Sequence, residues 1–363
     1  MRFTARLLSI LGAACLLSQS AVAQFLNMLP AITTVSSTVP GNGDQNPYGV
    51  AVVPVTMGNL VTGDILVSNF NNSDNQQGTG TTIVEISPGG TQTLFAQIDP
   101  TKLPGPCPGG VGLTTALVAL SSGFVIVGST PTTNGTSATL GPGCLIVLNS
   151  SGTVVETISG GGINGPWDMT ALDMVTGAVI FVSNVLNGTK AGHGAQVNEG
   201  TVLRIVLSIP MGGIPVPSEP RVIGRGYGEK TDPAALVIGP TGLGLASDGT
   251  LYVADTLNNR IMAITNAVTR TTDGGVGNTV SADRNLNQPL GLAIAPNGDI
   301  LTVNNGDGLM VETMPDGRQV GIRFVDVSMS DDGAGTLFGL AIAPGGNGVY
   351  FVDDGNNTLN LLH

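Results

Sequence analysis

Three stretches of this chain share one layout. Pro240-Thr241-Gly242-Leu243-Gly244-Leu245 passes through Asp248-Gly249 to Leu251-Tyr252-Val253-Ala254-Asp255, then through Asn258-Asn259 to Arg260-Ile261. Pro289-Leu290-Gly291-Leu292-Ala293-Ile294 reaches Ile300-Leu301-Thr302-Val303-Asn304 by way of Asn297-Gly298. Leu337-Phe338-Gly339-Leu340-Ala341-Ile342 runs on to Val349-Tyr350-Phe351-Val352-Asp353. Apolar alternation of period two marks strands, and the Asp-Gly and Asn-Gly pairs supply positive φ for tight hairpins. A repeat of about 50 residues with four strands to the unit restricts the chain to the radial all-β architecture of a β-propeller.

Three further units precede these. The first runs from Pro47-Tyr48-Gly49-Val50-Ala51-Val52 through Asp64 to Asn69 and Thr82 to Ile86, with an outer strand over Thr91 to Ile98. A degenerate second unit covers Val111 to Leu120, Phe124 to Ser129, Cys144 to Leu148 and Thr153 to Ile158. The third begins Gly165-Pro166-Trp167-Asp168-Met169, continues over Ala178 to Asn184 and Gly200 to Val206, and takes Arg221-Val222-Ile223 as its outer strand. In the fourth unit an insertion over Thr271 to Asn287, rich in Gly, Asp and Asn, reads as a surface loop. The sixth unit stops at its third strand, Thr358 to Leu362, and a spare strand stands at the other end, Ala31 to Thr38. An N-terminal strand that completes the last blade closes the ring without an exposed edge. The expectation is therefore all-β: a single domain over 24–363, six blades of four strands, closed by the N-terminal strand.

Residues 1–23 read as a secretory signal. Arg2 and Arg6 give a basic start, Leu7 to Leu17 is apolar, and Ala21-Val22-Ala23 is a small-x-small cleavage site before Gln24. The alternative is a lipoprotein anchor at Cys15. The apolar run is too short to span a bilayer. The signal takes two of the 13 basic residues and none of the 25 acidic ones, so the remainder is more acidic than the whole chain's −12. Such a charge argues against nucleic acid and anionic membrane surfaces as partners. The expectation is a secreted or periplasmic monomer whose partner is a small molecule or a protein. Export leaves Cys107 and Cys144, and an even count in an exported chain points to a disulfide.

The unit closest to a consensus, Pro240 to Ile261, resembles the NHL repeat, and the resemblance covers essentially the whole chain after the signal. It implies a six-bladed propeller, and no single activity, because the fold serves binding proteins and enzymes alike. Related families include the gluconolactonase-like calcium lactonases, the streptogramin lyases and the peptidyl-amidating lyases. The amidating lyases need several histidine zinc ligands and the streptogramin lyases use histidine to abstract a proton. Here only His193, in the glycine loop Lys190-Ala191-Gly192-His193-Gly194, and the terminal His363 are present. His193 reads as a solvated histidine.

The calcium lactonases hold their metal with Glu, Asn and Asp at the channel mouth, and calcium suits such oxygen ligands. In this chain the second strand of each repeat ends in a polar residue: Asn69, Ser129, Asn184, Asp255, Asn304 and Asp353. Equivalent positions in a propeller form a ring, so the five amides and carboxylates, Asn69, Asn184, Asp255, Asn304 and Asp353, are candidates to bind a ligand or a cation. The competing reading is that they cap the turns that follow, by accepting backbone N–H groups. The lactonases also open their first blade with a glutamate where this chain has Gln45-Asn46-Pro47. Trp167, the single tryptophan, is a candidate floor for a pocket, and Asp168, standing where other repeats have Gly, a candidate lining of the same mouth. Asp331-Asp332-Gly333 and Asp353-Asp354-Gly355-Asn356-Asn357 resemble fragments of calcium loops without the full 12-residue pattern. The leading expectation is a binding scaffold without catalysis. The alternative is a calcium-dependent lactonase or related hydrolase with its site at the mouth.

Overall fold

The computed structural model describes residues 24–363 apart from 175, 234 and 329–334. The signal segment and Asp331-Asp332-Gly333 lie outside the described residues. Six antiparallel blades of four strands succeed one another along the chain, the third carrying two short extra strands, and each starts with an inner strand that pairs on one side only. The inner strands are Gln45–Val52, Leu113–Ala119, Gly165–Met174, Pro240–Leu245, Pro289–Ile294 and Leu337–Ile342. They surround a central channel. Among the described residues no helix is long and apolar enough to cross a membrane.

The ring closes as expected. Ile32–Ser37 is the outer strand of the sixth blade, with Ile32 opposite Leu362 and Ser37 opposite Thr358. Backbone bonds between Ala31 and His363, and from Thr38 N–H to Asn357, extend the pairing at both ends. Ahead of this strand, Phe25, Leu26 and Leu29 are buried among Leu301, Val303, Val349 and Phe351, between the fifth and sixth blades. Glu312, itself fully buried, accepts the Phe25 N–H at 2.7 Å and the Leu26 N–H at 2.9 Å.

Two expectations need correction. The segment from Thr271 to Asn287 is not only a loop, because Asn278–Ala282 within it is the outer strand of the fourth blade. An outer strand has one partner and a mostly exposed surface, so its apolar alternation is weak in sequence. The outer strand of the third blade does not end at Ile223. It runs over Arg221–Asp232 and folds back as Leu236–Ile238. Gly224, Gly226 and Gly228 hid that extension. Cys107 and Cys144 form the expected disulfide, with Cα atoms 5.2 Å apart, tying the loop before the second blade to that blade's third strand.

Candidate functional site

The channel is divided in two by an aromatic stopper. Tyr48 stacks on Phe338 at a centroid distance of 3.8 Å and on Phe70 at 4.4 Å, and Trp167 lies 6.4 Å from Tyr48 and 6.3 Å from Phe338. Leu236 and Val237, at the tip of the third blade's extra hairpin, are buried in the same cluster. The hairpin thus reaches across the axis and shuts the channel. The sequence offered this element no role.

Above the stopper the mouth opens into a cavity of about 590 Å³. Side-chain amides dominate its wall, among them Asn46, Asn71, Asn75, Gln288, Asn305 and Asn357, and Tyr48 and Phe338 form its floor. Its carboxyl groups are Asp232 and Asp354. Asp232 stands 3.7 Å from Lys230. Asp354 is half-buried, and burial first, then the charges of Asp353 and Asp326, push its carboxyl up to about 8. The Tyr48 hydroxyl is raised well above its ordinary value, by burial first and by the charge of Asp354, while a hydrogen bond with Asn46 acts the other way. Asn46 N–H donates to Asn357 Oδ1 at 2.6 Å, joining the first and sixth blades at the rim. Asn71 is 2% exposed, and its Oδ1 has no hydrogen-bond partner.

The expected ring is a ring, yet its side chains turn into the blades. All six residues are fully buried, and none is among the described residues lining the cavity. Asn184 Oδ1 accepts the N–H groups of Asn164 and Gly165 at 2.8 and 3.1 Å. Asp353 accepts those of Val327, Ser328 and Gly355 at 2.9 to 3.1 Å. Burial and the neighbouring Asp326 carboxyl raise Asp353 to about 6. Asp255 takes a two-nitrogen grip from Arg260, at 2.7 Å for each nitrogen, and the Asn258 amide. Asn304 donates to Asn285 O and Asp307 Oδ1, Asn69 to Thr38 O, and Ser129 accepts from Gly112 N–H. These bonds are those of residues that pin loops, as side chains at turns do.

The mouth is lined one or two residues farther along, by Asn71, Asn305 and Asp354. Asn305 and Asp354 stand in the turns just past the ends of their strands, Ile300–Asn304 and Val349–Asp353, and Asn71 is the last residue of Ile65–Asn71. The doublets Asn304-Asn305 and Asp353-Asp354 carried the signal, but sequence alone does not say which member faces the axis. Trp167 is 8% exposed and belongs to the stopper beneath the floor. Asp168 lines the chamber on the far side of that stopper, not the mouth. His193 is exposed, in a shallow cleft with Lys190 and Ser137. Among the described residues no three His, Cys, Asp or Glu gather as a metal-holding group.

No protein-family model matches the sequence, and no curated protein matches it. Solved structures do. A gluconolactonase from Xanthomonas campestris is 13% identical, with a TM-score of 0.54 over 91% of this chain and 88% of that one. Regucalcin from Agrobacterium tumefaciens, described as a calcium-binding protein, is 13% identical, with a TM-score of 0.51 over 91% and 93%. A catalytically inactive variant of virginiamycin B lyase from Staphylococcus aureus, solved with quinupristin, is 16% identical, with a TM-score of 0.51 over 92% and 85%. At such identities the likeness establishes the architecture alone: this chain is a six-bladed β-propeller of the shape shared by gluconolactonase-like proteins and streptogramin lyases.

Proposed function

We propose that the mouth above Tyr48 and Phe338 binds a small polyhydroxylated ring molecule and that the protein hydrolyses its lactone. The observation that carries this reading is a cavity of about 590 Å³ walled by amides, floored by aromatic rings and holding a carboxyl lifted to about 8. Its volume falls in the range of small-molecule sites. Amides both donate and accept, which suits hydroxyl groups, and aromatic faces suit the C–H face of a sugar ring. A carboxyl that titrates near neutrality can serve as acid and as base. As carboxylate, Asp354 takes a proton from the water that adds to the lactone carbonyl. The Asn46 and Asn305 amide N–H groups are the available donors for the resulting oxyanion. When the tetrahedral intermediate collapses, the ring C–O bond breaks, and Asp354 returns the proton to the departing alkoxide. The stopper excludes water from below.

Calcium is the group that the likeness to regucalcin brings to mind. The donor set here is all oxygen, which fits it, and Asn71 Oδ1 is a buried acceptor without a partner. The amide oxygens of Asn46 and Asn71 would hold the ion, which when bound would polarise the ester carbonyl and leave Asp354 as the acid and base. With no carboxylate in that set, the dissociation constant is expected to be no tighter than about 10⁻³ M. The test is a pH-stat assay on δ-lactones of aldoses, with and without millimolar calcium, for the protein and for Asp354→Asn. Loss of the acid–base group is expected to lower turnover roughly 10²–10⁴-fold while calorimetric ligand binding persists. Equal turnover by Asp354→Asn, or no lactone hydrolysed under either condition, overturns the reading.

A further inference from the structure

Below the stopper lies a second chamber of about 350 Å³, walled by the inner strands of all six blades. We infer that this chamber binds a small inorganic cation, with the Asp168 carboxylate as its principal ligand and the Thr115 hydroxyl as a second. This site is independent of the mouth and of the activity proposed there.

Asp168 breaks the rule of the repeat. The equivalent positions in four other blades are Gly49, Gly242, Gly291 and Gly339, and there a side chain has no room. A Cβ on Gly242 would run into Leu290 O, one on Gly291 into Phe338 O, and one on Gly339 into Tyr48 O. In the third blade the inner strand instead carries a carboxyl that is only 8% exposed, and this residue lines the chamber. Its Oδ2 accepts the Leu243 N–H of the next blade at 2.9 Å, and its own N–H is held by Ser183 Oγ at 3.0 Å. Two backbone N–H groups, of Leu243 and Met169, are only partial compensation for a carboxylate taken out of water. No Lys, Arg or His is among the described residues lining the chamber, so no counter-charge comes from the protein there.

A second observation points the same way. Thr115, on the inner strand of the second blade, also lines the chamber. It is 4% exposed, and its Oγ1 has no hydrogen-bond partner. An unpartnered buried hydroxyl is uncommon and calls for an explanation. A cation beside Asp168 would supply one, since a hydroxyl oxygen coordinates through a lone pair. Each inner strand pairs on one side only, so the backbone groups of its other edge lie outside the blade's own ladder. Asp173, exposed at the chamber's rim and held by the Ser121 N–H at 2.6 Å, adds negative charge at the way in. One deeply buried carboxylate with neutral oxygens matches a small metal cation, monovalent or divalent, and no anion.

Trp167 is the chain's only tryptophan and adjoins Asp168, so its fluorescence reports on the chamber. The protein is titrated with LiCl, NaCl, KCl and MgCl₂, calcium being left out because the mouth is proposed to take it, with choline chloride holding ionic strength constant, while fluorescence and the melting midpoint are followed. A saturable response to at least one metal cation is expected, and the four arms tell monovalent from divalent ions. Asp168→Asn should abolish it. Thr115→Val, which keeps the shape and removes the hydroxyl, should move the half-saturation point several-fold higher. Asp354→Asn should keep it, which separates this site from the mouth. Absence of any saturable response in the unmodified protein overturns the inference, as does a response that survives Asp168→Asn or is lost with Asp354→Asn. Should Asp168→Asn fail to fold, an unchanged half-saturation point for Thr115→Val overturns it equally.

Discussion

The short turn at Leu26–Met28, ahead of the closing strand, is expected to carry a large share of the ring's stability. Phe25 is 1% exposed and packed among Leu301, Val303 and Phe351 of the fifth and sixth blades. Met28, three residues on, is 54% exposed. Phe25→Ala removes a buried ring from a site whose walls are rigid strands, so the cavity cannot collapse easily. Such a change costs about 3–5 kcal/mol, from lost transfer energy and the void together. Met28→Ala removes an exposed side chain of comparable length from the same turn and should stay within about 0.5 kcal/mol. Equilibrium urea unfolding measures both, with the slope m checked for constancy so that the midpoint reports stability. Midpoints for the two variants that fall by the same small amount would refute the reasoning. The turn would then be undocked in solution, and the Glu312 bonds to Phe25 and Leu26 would not hold it.

Two more expectations concern charge. Burial and the adjoining Glu312 carboxyl raise Asp299 to about 6 from an ordinary 3.8. The folded protein therefore binds more protons than the unfolded chain between these values, and stability falls as pH rises from about 4 through 6. Asp299→Asn should flatten that part of a plot of urea midpoint against pH, and an unaltered slope would count against the pair. Asp255→Ala strips Arg260 and Asn258 of their acceptor. It should cost about 1–3 kcal/mol, the usual loss when buried donors go unmet, while ligand affinity at the mouth, read by calorimetry, stays unchanged.

The sequence by itself determined the architecture, because a propeller repeat is a local pattern. Each blade is four consecutive strands joined by short turns, so alternation and the Gly, Asn and Asp punctuation fall within one stretch of chain. The closure by Ala31 to Thr38 and the pairing of Cys107 with Cys144 followed from counting, since one blade lacked a strand and two of the three cysteines lie within the repeats. What the sequence could not decide is which way side chains point once six blades meet around an axis. The doublets Asn304-Asn305 and Asp353-Asp354 straddle strand ends, where the alternation of period two stops and the turn begins. Blade twist and the loops packed against each strand decide which side is the mouth. The same holds for Trp167 and Asp168, neighbours in sequence that end in the stopper and the chamber beneath it. The Leu236–Ile238 hairpin was illegible for a different reason. Its burial comes in large part from a cluster shared with Tyr48, Phe70 and Phe338 of other blades, and no local pattern encodes a contact of that range.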